Sequence, residues 1–343
     1  MKQHLNTVFV TTQGSYVARE GENVVVRLDN DVRLRVPVHM LDGIVCFGRV
    51  GTSASLMGLC GRRGVGLSFL TERGRFRARV VGPTTGNVLL RRAQYRAADE
   101  PSLTAELARA IVIAKILNAR TLVQRTYRRR RDEAGRRALK SAITHLKGIV
   151  EQLSSTADVD VARGYEGEAA RAYFGSFNEL IGARKGFRFE GRSRRPPLDP
   201  VNALLSFVYT LLLHDVISAL ETVGLDPAVG FLHRERPGRP SLALDLMEEQ
   251  RAFLADRLVL SLINRQQVRP EGFRIQESGA VEMDDDTRKT VLVAYQARKQ
   301  ETLRHPFLDE TISVGLLWHI QARLLARYLR GDLDAYPPFL WRG

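Results

Sequence analysis

Within Phe231–Glu249 the chain carries His233, three arginines, and then Asp245, Glu248 and Glu249 at the start of an apolar-periodic run. Asp245 and Glu248 are three residues apart, so a helix puts them on one face. Their neighbours Leu242, Leu244, Leu246 and Met247 are apolar, and carboxylates are seldom buried without a partner. A divalent cation would be such a partner. His233 could then supply a further ligand, and Arg236 and Arg239 could hold phosphate. The competing reading is structural: acids at a helix start answer the macrodipole, and a lone histidine in a turn forms hydrogen bonds. This stretch alone leaves both open.

A further inward carboxylate lies upstream. Glu166, Ala169, Ala170, Tyr173 and Phe177 fall at i, i+3, i+4, i+7 and i+11, one helical stripe. Glu166 therefore needs a cation, a cap or a shifted pKa, and Arg163 is the plain structural candidate. Carboxylates with one imidazole suit Mg²⁺ or Mn²⁺, with open positions for water and phosphate oxygens. Such an ion polarises a phosphodiester and lowers the pKa of a bound hydroxyl. The acidic cluster Glu277, Glu282, Asp284, Asp285 and Asp286 lacks the ligand spacing of a calcium loop, so a solvated turn is expected. Cys46 and Cys60 offer no zinc spacing, and a nucleophilic role is poorly supported.

The charge points to a polyanion. The 343 residues contain 52 Lys+Arg against 38 Asp+Glu, a net +14, with a pI near 10.3. Residues 120–140 and 184–195 together carry twelve of those excess charges, so the footprint is localised. The run Arg128, Arg129, Arg130 and Arg131 is a candidate DNA-backbone patch. A second is the loop holding Arg184, Lys185, Arg188, Arg192, Arg194 and Arg195, where Phe187 and Phe189 are placed to stack on bases.

These groups need a scaffold. Short alternating runs at Val8–Val10, Val24–Leu28, Val32–Val36 and Gly66–Phe69, with a helix over Thr52–Cys60 ended by Gly61, predict a small N-terminal β-sandwich over residues 1–82. Gly82-Pro-Thr-Thr-Gly-Asn87 marks a boundary, with a linker over 83–95. Helical periodicity then dominates 96–343: Ser102–Val123, two helices within 142–180, Asn202–Val223, a helix through Glu249 to about Ile263, and Thr311–Arg330. The fold class expected is α+β multidomain, a β-sandwich followed by an all-α catalytic domain. Ser206, Thr210, His214 and Asp215 interrupt the most apolar run, leaving stretches far short of the ~20 residues of a membrane span. A buried helix and no membrane are expected. The first residues lack the apolar core of a signal peptide, and the two cysteines suit a reducing cytoplasm. The aromatic tail Tyr336–Trp341 is expected to pack on the helical domain.

Taken together, Glu166-Gly-Glu-Ala-Ala-Arg-Ala-Tyr-Phe174, Asn202-Ala-Leu-Leu with Tyr209, Gly224–His233 and Ser241–Glu249 resemble the CRISPR-associated spacer-acquisition integrase family. Gly82–Val88 with Arg91, Arg92 and Gln94 is similar to that family's domain join. The tail from Leu324 to Phe339 resembles its type I-C branch. The resemblance covers essentially the whole chain. It implies a dimerising β-sandwich, a helical catalytic domain, and a metal triad of Glu166, His233 and Glu248, where many members have Asp in place of Glu248. It further implies a supporting role for Asp245 and a site-adjacent Tyr209. The implied reaction is metal-dependent transesterification, in which the 3′-hydroxyl of a short DNA fragment attacks the repeat array. The implied partners are DNA, a second copy of the chain and a small ferredoxin-like companion subunit. A structure-specific repair nuclease and a catalytically silent DNA-binding scaffold are the alternatives.

Overall fold

The computed structural model describes residues 6–82, 88–181 and 186–342. They form two compact units. The first is the described chain up to Gly82 together with Leu292–Glu301 and Val314–Leu316, and the second is the remainder. Residues 83–87, within the expected linker, lie outside the described residues, and from Val88 the chain is helical.

The first unit is built from β1 (Asn6–Val10), β2 (Tyr16–Glu20), β3 (Asn23–Leu28), β4 (Asp31–Pro37), β5 (Leu41–Phe47), β6 (Gly51–Thr52), α1 (Ala54–Arg63), β7 (Gly66–Leu70) and β8 (Phe76–Val80). Two four-stranded sheets result, ordered β1-β5-β7-β8 and β4-β3-β2-β6. Positive φ at both Asp29 and Asn30 (51° and 69°) fits the tight two-residue loop that joins β3 to β4. Val17, Val24 and Val26 of one sheet share a core with Ile44, Cys46 and Leu67 of the other and with Leu56, Leu59 and Cys60 of α1. The sandwich is not purely antiparallel: β1, β5 and β7 run parallel, and parallel neighbours need a crossover, which α1 supplies between β5 and β7. Ser53 caps α1 by accepting from the Leu56 amide at 3.2 Å. The helix ends at Gly64 (φ 63°), three residues beyond the expected Gly61. Burial pushes the Cys46 thiol up to about 12 and the Cys60 thiol up to about 11, so neither is a nucleophile.

The second unit is helical: α2 (Val88–Asp99), α3 (Pro101–Arg129), α4 (Glu133–Leu153), α5 (Val159–Gly175), α6 (Phe177–Ile181), α7 (Pro200–Val223), α8 (Ser241–Gln250) and α9 (Arg257–Asn264). A hairpin of β9 (Phe273–Ile275) and β10 (Val281–Met283) precedes α10 (Asp285–Gln300), whose second half belongs to the first unit. Strands β11 (Thr302–Arg304) and β12 (Thr311–Ser313) lead into α11 (Leu317–Leu329). Between α8 and α9 the helix widens to a π-turn over Arg251–Asp256, a feature that often marks functional sites. Asp199 caps α7 at 2.7 Å to the Asn202 amide, Pro200 starts it, and Gly224 (φ 93°) closes it, as N-terminal Pro and C-terminal Gly should. By length and composition α7 is apolar enough to cross a membrane, but 56% of its most apolar window is buried, as in a core helix.

Some expectations change. Helix α3 runs six residues past Val123, so Arg128 and Arg129 stand in its last turn. The acidic cluster is no free turn: it spans the β9–β10 hairpin and the start of α10, where Asp284 caps the Thr287 amide at 2.8 Å. The closing helix begins at Leu317, because Thr311–Ser313 pair with Thr302–Arg304 as strands.

Candidate active site

Three segments of the helical unit deliver the acidic and imidazole groups. Glu166 projects from α5, Glu248 from α8, and His233 from the loop between α7 and α8. That loop is tightly held. Asp245, fully buried on α8, accepts from the amides of Phe231, Leu232 and His233 at 2.6, 2.9 and 2.9 Å. Its Oδ1 also lies 2.6 Å from His233 Nδ1. The approach requires glycine at 230, since a Cβ there would stand 2.7 Å from Asp245 Oδ2 and 2.7 Å from the Ser241 backbone. Arg163 donates to the Leu232 carbonyl at 2.6 Å. Gln94 of α2 donates to the Asp226 and Val229 carbonyls, both at 2.8 Å.

The imidazole is thereby oriented. A carboxylate at Nδ1 places the proton on that nitrogen, so a neutral ring presents the Nε2 lone pair. Nε2 faces Glu248 Oε1 at 3.8 Å, too long for a hydrogen bond. Both Asp245 oxygens are occupied.

Glu166 and Glu248 meet at a cation from the protein itself. The Lys115 ammonium of α3 contacts Glu166 Oε1 and lies 2.7 Å from Glu248 Oε2. Arg251, the first residue of the π-turn, lies 3.0 Å from Glu248 Oε1. Glu166 is therefore not paired with Arg163, which bonds Asp160 instead. Burial opposes the ionisation of Glu248, but Arg251, Lys115 and His233 outweigh it and hold its carboxyl down to about 2.

Behind this pair the π-turn brings in a second buried acid. Asp256 accepts from the hydroxyls of Tyr209 at 2.5 Å and Tyr173 at 2.8 Å. Burial raises it to about 6, against the pull of those two hydroxyls and of Arg251 and Arg192. Arg251 and Arg192 also lie over the Tyr209 ring at 4.9 and 5.3 Å. The Tyr209 hydroxyl is thus committed to Asp256 and raised well above its usual value, chiefly by burial. Glu249 points elsewhere, bonded to Tyr336, Gln321 and the Phe339 amide of the docked tail.

Among the described residues no three His, Cys, Asp or Glu side chains converge at ligand distances, since Lys115 sits between the two glutamates. The donor set nonetheless fits Mg²⁺ or Mn²⁺. It offers two carboxylates and an oriented imidazole nitrogen, and the buried Glu248 Oε2 already has a cation, the Lys115 ammonium, 2.7 Å away. Two donors each about 2.1 Å from one ion stand up to about 4.2 Å apart, a span that accommodates the His233–Glu248 separation.

The basic residues divide. Arg128, Arg129, Arg131, Arg188, Arg194, Arg195 and Arg236 are exposed. Arg130 is paired with Asp132 and Glu179, and Arg239 is half-buried. Arg192 turns inward, 2.7 Å from Asn202 Oδ1. Arg184 and Lys185 lie outside the described residues. Phe189 is buried against Phe174 and Phe177 and so is not free to stack on a base. Lys115, Arg251 and Asp256 are not marked in the sequence reading, and Tyr173 is given there only as a member of the inward stripe of Glu166. For Lys115 a signal existed: with Ile111, Asn118 and Leu122 it falls on one i, i+4, i+7, i+11 stripe.

Fold and site define a two-unit α+β protein whose helical part carries a carboxylate–histidine centre set among arginines. The family described as CRISPR associated protein Cas1 matches residues 8–297, and the chain belongs to that family. The CRISPR-associated endonuclease Cas1 1 of Chlorobaculum tepidum is 59% identical over 343 residues, covering all of both chains. Among solved structures, the Cas6-RT-Cas1–Cas2 complex matches with a TM-score of 0.83 at 21% identity, over 99% of this chain and 36% of that one. A casposase bound to integration product also matches at 0.83 and 21%, over 98% and 95%. At those identities the likeness is one of fold.

Proposed function

We propose that the chain is a Mg²⁺- or Mn²⁺-dependent DNA endonuclease and integrase of CRISPR adaptation. It joins the 3′-hydroxyl ends of short DNA fragments to the repeat array by transesterification. The observation that carries this reading is that Glu166 and Glu248, from distant segments, meet at the Lys115 ammonium, with His233 Nε2 3.8 Å from Glu248 Oε1. Family membership and the fold shared with a casposase bound to integration product support it.

Glu166, Glu248 and His233 Nε2 would hold the ion, and Asp245 keeps the imidazole in its ligating orientation. When bound, the ion supplies charge neutralisation at the phosphodiester and a more acidic attacking hydroxyl. Arg251 and Arg192 add fixed positive charge beside the reacting phosphate, where positioning and electrostatics dominate. Tyr209, its hydroxyl held by Asp256, forms the wall that orients those two guanidiniums. The exposed arginines at 128, 129, 131, 188, 194, 195 and 236 bind the DNA backbone, with an affinity that weakens steeply with salt.

The working form in this proposal is a cytoplasmic homodimer of the type I-C branch, bound to a small ferredoxin-like companion subunit. A fold match within a Cas1–Cas2 complex supports the companion. The test is a strand-transfer assay with purified protein, repeat-containing DNA and Mn²⁺, with and without the companion. Branched, joined products are expected. Cleaved ends alone would favour a repair nuclease, and unchanged DNA bound at normal affinity would favour a silent scaffold.

A further inference from the structure

Lys115 is a charged residue on the inward stripe of α3, with its side chain only 16% exposed. Its Nζ touches one oxygen of each glutamate, the place where a metal ligand pair would share an ion. Two carboxylates brought together inside a protein repel unless a cation lies between them. Arg251 cannot fill that role alone. Of the two glutamates its close ion pair is with Glu248, at 3.0 Å, and its planar group lies 4.9 Å over the Tyr209 ring. Lysine differs: it is a compact charge on a flexible four-carbon stem. A cavity of about 40 Å³, lined by Glu166 and Asp256 as well as Tyr209, Arg192, Arg194 and Arg251, opens beside it, larger than one water requires.

We propose, resting on the metal-site reading above, that Lys115 is the resident counter-cation of the site, which a divalent ion must displace in order to bind. Before loading, its ammonium holds Glu166 and Glu248 together, so the site is assembled in the absence of metal. On loading, one positive charge leaves and two arrive, and the ammonium moves toward the cavity. His233 Nε2 gains its partner only at that exchange. Lys115 is thus a positioning residue that sets apparent metal affinity by competition, and the folded state does not depend on the metal.

The test titrates Mn²⁺ calorimetrically into the full-length protein without DNA, comparing wild type with Lys115→Met, Lys115→Gln and Glu248→Gln. Each protein is also melted in chelator and in saturating Mn²⁺. Both Lys115 variants should bind Mn²⁺ about tenfold more tightly, a change of about 1.4 kcal/mol. They should melt below wild type in chelator, and the gap should close with Mn²⁺. A lysine that merely packs would lower the melting temperature equally with and without metal and would not tighten binding. Equal or weaker Mn²⁺ affinity in the Lys115 variants overturns the proposal, provided wild type binds and Glu248→Gln does not. If wild type and Glu248→Gln bind alike, or neither binds, the metal-site reading itself falls. Should Lys115→Met not fold, Lys115→Gln, which keeps a polar tip, carries the comparison.

Discussion

Glu248 and Glu249 are neighbours on α8, exposed to 3% and 0%, yet their two sides of the helix treat a carboxylate in opposite ways. Glu248 faces Lys115, Arg251 and His233. Burial raises its pKa, but those three outweigh it and the group sits at about 2. Glu249 faces the C-terminal tail, where burial dominates the opposing hydrogen bonds from the Phe339 amide, Tyr336 and Gln321, and its pKa rises to about 7. Desolvation is comparable on both sides. Hydrogen-bonding dipoles offset only part of it, whereas full charges at 3 Å more than reverse it. One side is therefore electrostatically set to receive a cation, and the other holds a segment in place.

The sharpest way to break this contrast is to neutralise each acid in turn. Glu248→Gln should lower Mn²⁺-dependent strand transfer by about a thousandfold, the scale of several kcal/mol of lost metal stabilisation. Glu249→Gln should stay within about threefold of wild type, because it changes no ligand. Similar losses in a quantitative integration assay would erase the distinction. Next in size, Asp245→Asn keeps the volume but weakens the grip on His233 Nδ1. Calorimetry should show Mn²⁺ binding about 10–100-fold weaker with the fold intact.

The two sides also differ in sign with pH. Folded Glu249 keeps its proton up to about pH 7, whereas its ordinary value is 4.5, so folding takes up a proton between the two. Its contribution is fully present below pH 4.5 and is lost as pH rises through 7. Glu248 does the reverse: its contribution is present above 4.5 and is lost as pH falls toward about 2. Denaturant melts between about pH 5 and 8 should show wild type losing up to about 3 kcal/mol relative to Glu249→Gln. Absence of that slope would mean that the tail's donors compensate burial after all. The smallest effect is Tyr336→Phe, which removes one hydrogen bond, costs about 1 kcal/mol and leaves Mn²⁺ affinity unchanged. A drop in Mn²⁺ affinity there would show that the two sides are coupled.

Much of the helical unit was legible because its signals are local. The apolar run expected over Asn202–Val223 ends where Gly224 closes α7, although Asp199 and Pro200 start that helix two residues earlier. The N-terminal sheets were harder. Asp42 and Gly43 interrupt the apolar pattern of β5, and Arg77 and Arg79 alternate through β8, so neither strand stood out. The start of α11 was misplaced because Thr311 and Ile312 continue an apolar spacing that the pairing with β11 overrides. At the site, stripe and spacing mark Glu166, His233, Asp245 and Glu248, whereas their division into a metal triad and a supporting Asp245 comes from the family resemblance. Lys115 was passed over because a single charge on an apolar helix reads as surface, although its stripe marked it as inward. Arg251 and Asp256 depend on the π-turn, whose extra residue shifts the 3.6-residue register and so hides which side chains face the pocket.

The sheet unit borrows from far along the polypeptide. Gln296 accepts from the Thr7 amide at 3.4 Å, and the buried Lys299 reaches the Thr7 hydroxyl at 3.1 Å. During synthesis the first strand therefore leaves the ribosome 289 residues before the Gln296 that bonds it. At about 5–20 residues per second, it waits roughly 15–60 seconds with that flank bare. An excised N-terminal fragment would expose the same flank indefinitely.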